Sequence, residues 1–121
     1  MANVLYYEDI QFVDGVKSFF GTGSDLEIFH NGSQAYIENY TGELNFTQHV
    51  NNGYMQFKCD DGSGGTTEYF RVDGGAEAII VSKTLRAMDN VRIDVGGATD
   101  GRFYHDGTNT CLLYTSPSPR D

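Results

Sequence analysis

Tryptophan is absent from this chain, and its two prolines, Pro117 and Pro119, both fall in the last eleven residues. Cysteine is nearly absent too: residues 1–110 hold Cys59 alone, which excludes a disulfide within that stretch. Cations are scarce, with 8 lysines and arginines against 17 aspartates and glutamates and a formal net charge of -9. A surface so poor in positive charge argues against nucleic acid or anionic lipid as partner. No uninterrupted apolar run approaches the roughly 20 residues of a membrane helix. The start, Met1-Ala2-Asn3-Val4, shows no basic stretch leading into an apolar one, so no secretory signal is read there.

What the chain has is glycine, 15 of them, and a motif that occurs twice. Gly21–Ser33 reads GTGSDLEIFHNGS and Gly96–Thr108 reads GGATDGRFYHDGT, an ungapped offset of 75 positions. Gly21/Gly96, Asp25/Asp100, His30/His105 and Gly32/Gly107 are identical, and Asn31/Asp106 is conservative. The match runs upstream through Asp14/Asp89, Val16/Val91 and Lys17/Arg92. Self-similarity at a fixed offset marks units that bury together a core that none of them buries alone.

The local pattern is β. Asn31-Gly32 lies between Leu26–His30 and Gln34–Glu38, and Asp106-Gly107 repeats that chemistry. Such pairs favour a type I′ turn, which needs positive φ at both central residues. Further strands are predicted at Glu43–Thr47, Tyr54–Cys59, Thr67–Val72 and Val91–Val95. Ala76–Met88 is rich in β-branched residues and reads as strand or turn. Short strands with tight turns predict an all-β fold of antiparallel hairpins, as a meander, sandwich or solenoid; with the 75-residue period the expectation is a repeat meander, part of an elongated fibrous or solenoid-like assembly. The expected core comprises Leu26, Ile28, Tyr36, Leu44, Phe46, Met55, Phe57, Tyr69 and Phe70. That is few bulky groups for a free-standing monomer, so partners along the chain or across an oligomer are expected. Residues 1–75 form the first expected unit and 76–110 the start of a second, truncated one.

Residues 111–121, CLLYTSPSPRD, break abruptly from the acidic, glycine-rich pattern. They resemble a translated sequencing adapter, the transposase mosaic end followed by a read-primer site. The expectation is that this tail is not native and is unstructured, without a counterpart to the strand after Asn31-Gly32, and that the chain is a fragment of a longer reading frame.

The stretches FFGTGSDLEIFHNGSQAYIENYTGELNF (19–46), CDDGSGGTTEYFRVDGG (59–75) and LRAMDNVRIDVGG followed by DGRFYHDGTN (85–109) resemble repeats of tail-fibre and related virion proteins of tailed bacteriophages, especially marine ones. The resemblance implies a β-rich shaft or connector, usually homotrimeric, that carries a distal receptor-binding region. It implies a virion location after synthesis in the host cytoplasm, other tail proteins as partners, and contact with a host surface glycan only through a distal region outside this chain. Nothing here matches the autoprocessing chaperone domain of some such fibres. The second copy departs at Gly101-Arg102, where the first has Leu26-Glu27, so its strand is expected to begin later.

No residue stands out as catalytic, cofactor-binding or metal-ligating; Gly21, Asp25, His30, Asn31, Gly32, Gly96, Asp100, His105, Asp106 and Gly107 read as turn and repeat residues. His30 and His105 precede turns and lack a His-x-His or Cys-x-x-Cys partner set; His49 is isolated. The loop Asp60–Gly65 lacks the ligand spacing of an EF-hand and the Lys of a phosphate loop. Asn31, Asn39 and Asn45 match the glycosylation sequon by chance composition. Asp25 and Glu27 lie on one polar face rather than across a cleft, and Cys59 reads as a small hydrophobe. The alternative functions are a carbohydrate-binding module, with Tyr36, Tyr40, Tyr54 or Tyr104 stacking on sugars, and a cell-surface adhesin repeat. The missing tryptophan weighs against the former.

Overall fold

A computed structural model describes residues 3–5 and 7–114. Nine strands form: β1 (Lys17–Phe20), β2 (Leu26–His30), β3 (Ala35–Asn39), β4 (Tyr54–Asp60), β5 (Thr66–Asp73), β6 (Ala78–Val81), β7 (Ile93–Val95), β8 (Gly101–His105) and β9 (Thr110–Tyr114). They make three antiparallel three-stranded sheets in the orders β1-β2-β3, β4-β5-β6 and β7-β8-β9. No helix occurs among the described residues, so the fold is all-β. The chain divides into two compact units, Met1–Thr47 and Gln48–Asp121.

The first unit is a meander in which Lys17 pairs with Phe29, Phe20 with Leu26, Leu26 with Asn39 and His30 with Ala35. Alternation sorts its side chains. Phe20, Leu26, Ile28 and Ile37 share one face, while Lys17, Glu27, Phe29, Tyr36 and Glu38 share the other. On the polar face Lys17 Nζ meets Glu27 Oε2 at 2.6 Å and also sits 4.4 Å above the Phe29 ring, which stacks on Tyr36 at 4.9 Å.

In the second unit, the β4-β5-β6 sheet carries an apolar face of Met55, Phe57, Phe70, Val72, Ile79 and Val81, set by the pairings Met55↔Val72↔Ile79 and Phe57↔Phe70↔Val81. Phe57 and Phe70 stack with ring centroids 4.3 Å apart. A bulge between Phe57 and Lys58 shifts the register, so that Lys58 faces Glu68 and Tyr69 is the extra residue. The β7-β8-β9 sheet presents Ile93, Val95, Phe103, Leu112 and Tyr114 on one face.

No apolar side chain is buried among the described residues, and Glu27 alone reaches the buried class. The expected core therefore does not form: Ile28, Leu44, Phe46, Phe57, Tyr69 and Phe70 are exposed, and Leu26, Tyr36 and Met55 only half-buried. The physical reason is layering. Within the second unit every strand contacts only its hydrogen-bonded neighbours, so neither sheet there covers the apolar face of the other.

Other expectations change as well. Glu43–Thr47 alternates but is not a strand, because alternation without a pairing partner leaves the backbone groups unmatched. β8 begins at Gly101, level with Leu26 in β2, and not later. Gly101 suits that place because a Cβ there would lie 2.7 Å from Val95 Cγ2, which fills the space instead. Cys111–Tyr114, expected to lack structure, belongs to β9 and pairs with β8 as β3 does with β2. Backbone pairing after a closed turn accepts any chain able to alternate, and Cys-Leu-Leu-Tyr can. Residues 115–121 lie outside the described residues. β5 and β6 pair through Asp73↔Ala78, on either side of position 75.

Candidate functional site at the paired hairpin ends

The residues shared by the two motifs gather at the ends of β2 and β8. The turn Val13–Val16, closed by Val16 N–H to Val13 O at 3.0 Å, holds Asp14 beside the end of β2, where Gly15 N–H donates to His30 O at 2.8 Å. His30 Nδ1 lies 2.8 Å from Asp14 Oδ1 and 3.1 Å from the Gly32 nitrogen. In the later sheet Asn90 N–H donates to His105 O at 2.7 Å, and His105 Nδ1 lies 2.9 Å from Asp89 Oδ1 and 3.1 Å from the Gly107 nitrogen. The same atoms thus meet 75 positions apart.

One nitrogen faces two unlike partners. With a lone pair, Nδ1 accepts the glycine N–H; carrying a proton, it donates to the aspartate. Either way the imidazole ties the turn before β1, or before β7, to the hairpin tip.

The tips themselves differ from the I′ expectation. Gly32 has φ +99° and Gly107 φ +95°, but neither Asn31 nor Asp106 has positive φ. Asn31 N–H donates to Gln34 O at 3.0 Å and Asp106 N–H to Asn109 O at 3.0 Å, so the central residues are Gly32-Ser33 and Gly107-Thr108. Positive φ at the first central residue alone is the II′ pattern. The shift comes from side chains. Asn31 Oδ1 accepts N–H from Ser33 and Gln34 at 2.9 and 2.8 Å, and Asp106 Oδ1 accepts from Thr108 and Asn109 at 2.8 and 2.7 Å. Those donors hold the Asp106 carboxyl below the ordinary aspartate range.

In the turns that lead into β2 and β8, Gly21 and Gly96 take φ +88° and +90°, and each packs against the carboxylate four residues on, Asp25 or Asp100, too closely for a side chain. Asp25 Oδ1 accepts the Thr41 hydroxyl at 2.9 Å while Lys17 holds Glu27, so these two carboxylates serve separate contacts.

Sequence reasoning missed the polar network on β4-β5-β6. Glu68 accepts from Ser82 Oγ, Gln56 Nε2 and Arg71 at 2.8, 2.7 and 2.8 Å, and Arg71 Nε donates to Asp73 at 2.8 Å. Ser82 first, with Gln56 and Arg71, lowers the Glu68 carboxyl, while Arg71 lowers that of Asp73. The residues span positions 56 to 82, and only the register reveals them. The acidic loop is internally satisfied: Asp61 Oδ1 accepts Ser63 Oγ, Ser63 N–H and Gly65 N–H at 2.7, 2.8 and 3.1 Å. Glu38 accepts the Tyr40 hydroxyl and pushes that phenol up to about 12.

Comparison with protein-family models, curated proteins and solved structures yields no match to the chain.

Proposed function

We propose that this chain is a structural segment of a bacteriophage tail fibre, a shaft or connector that assembles with further copies, as a homotrimer, and catalyses nothing. One observation carries the reading: each of the three sheets has an apolar face, and no apolar side chain on any of them is buried. On β4-β5-β6, Phe57, Phe70, Val72, Ile79 and Val81 are 47, 38, 39, 69 and 44% exposed. Fully burying such a side chain contributes about 1.5–3 kcal/mol, so covering a half-exposed face of six adds on the order of 5 kcal/mol per copy. That is comparable with the whole stability of a small domain. The recurrence of the hairpin-end contacts supports a module built for stacking, and the fibre itself rests on the sequence resemblance.

Sedimentation of a chain carrying several complete units and its native carboxy-terminal continuation tests the reading. A trimer is expected. A compact, cooperatively melting monomer at micromolar concentration overturns it.

A further inference from the structure

We infer that Asn31-Gly32 is a self-modifying site, in which His30 drives loss of the Asn31 amide as ammonia through a succinimide. The reaction requires a base for the glycine nitrogen, polarisation of the asparagine carbonyl and a place for the proton. All three are present. His30 Nδ1 is 3.1 Å from the Gly32 nitrogen. Asn31 Oδ1 accepts two backbone N–H groups, from Ser33 at 2.9 Å and Gln34 at 2.8 Å, which polarise the side-chain carbonyl and are the donors that would meet the oxygen's charge in the tetrahedral intermediate. Asp14 Oδ1, 2.8 Å from the same Nδ1, faces the imidazolium that forms when the proton arrives.

The step balances without a redox partner. The Gly32 nitrogen gives its proton to His30 Nδ1 and bonds to Asn31 Cγ. The Cγ–Nδ2 bond breaks, His30 returns the proton to that nitrogen, and ammonia leaves. Solvent water then opens the ring to aspartate or isoaspartate at position 31. Asn31 Nδ2 meanwhile donates to the Tyr36 hydroxyl at 3.4 Å, the long contact of a group that is weakly held.

Two features of the same chain frame the inference. The second hairpin carries Asp106 in the place of Asn31, with the same pair of backbone donors, so the fold accommodates the acid. Asn52-Gly53 is the other Asn-Gly pair, and there the Gly53 nitrogen donates at 2.8 Å to the Val50 carbonyl, which is no base. It serves as the internal control.

The experiment is peptide mapping by mass spectrometry, with ammonia and isoaspartate assays, after the intact chain is held at neutral pH. Conversion at Asn31 is expected to run about a hundredfold or more faster than at Asn52, the lower end of what a positioned base contributes. It should also run faster in the native chain than in the same chain unfolded in guanidinium, and His30→Gln should remove the advantage. A native rate at or below the unfolded rate overturns the inference, and so does a folded His30→Gln chain that converts as fast as the original. The comparison of native with unfolded chain stands even if the variant does not fold.

Discussion

Gly32 shows what a single residue controls. Its φ of +99° lies where a β-branched side chain is strained, while the space around it is nearly open, with Asp14 Oδ2 at 3.7 Å as the nearest atom a Cβ would meet. The cost of substitution is therefore conformational rather than steric. Gly32→Val should destabilise the β2–β3 hairpin by about 1 kcal/mol or more. Chemical denaturation, with amide exchange at Asn31, whose N–H closes the turn on Gln34 O, as the local reporter, measures it; an unchanged midpoint would contradict the turn assignment. Glycine at this place was legible, because turn chemistry is local. The partner of His30 was not, since Asp14 stands sixteen positions upstream and only the folded backbone brings the two together.

At the scale of the strand and sheet, the turn signals at Asn31-Gly32 and Asp106-Gly107 located two hairpins, but strand count needed pairing. Lys17–Phe20 has no clean alternation and is a strand because β2 offers it an edge; Glu43–Thr47 alternates and is not one. The Glu68–Arg71–Asp73 network gives β4-β5-β6 a pH response whose sign is set by its carboxylates. Both are lowered in the folded sheet, so their stabilisation is fully present above the ordinary carboxylate range, about pH 4, and is lost as pH falls through the lowered values. Thermal melting followed from neutral pH to strongly acidic pH should show that loss, with a shallower acid slope in Glu68→Gln. An equal slope in the variant would remove Glu68 from the account.

For the molecule as a whole, the apolar faces dominate. The sequence suggested a short list of core residues and expected partners, and the structure leaves that list uncovered. Ile79, 69% exposed on the face of β4-β5-β6, is the place to probe. Ile79→Asp should weaken self-association while leaving the circular-dichroism signature of the separate chain unchanged. If the variant associates as strongly as the original at matched concentrations, this face is not an interface. The apolar faces became visible only with the register, since a residue's side of a sheet depends on which neighbour it opposes.

The ion pairs of the two similar sheets run in opposite senses, and this bears on how the chain avoids folding wrongly. In the first unit the cation, Lys17, is on the outer strand and the anion, Glu27, on the central one; in β7-β8-β9 the anion, Asp94, is outer and the cation, Arg102, central, 3.4 Å apart. Two hairpins of near-identical backbone invite exchange of strands, within one chain or between neighbours during synthesis. An exchanged pair of β7 with β2 in the native register sets Asp94 opposite Glu27, and β1 with β8 brings Lys17 toward Arg102. Like charges facing across strands cost about 0.2–1 kcal/mol each relative to a neutral pair, and the matched attraction is forfeited as well. The reversed polarity thus sets like charges against each exchanged pairing, while each native pairing keeps its attraction.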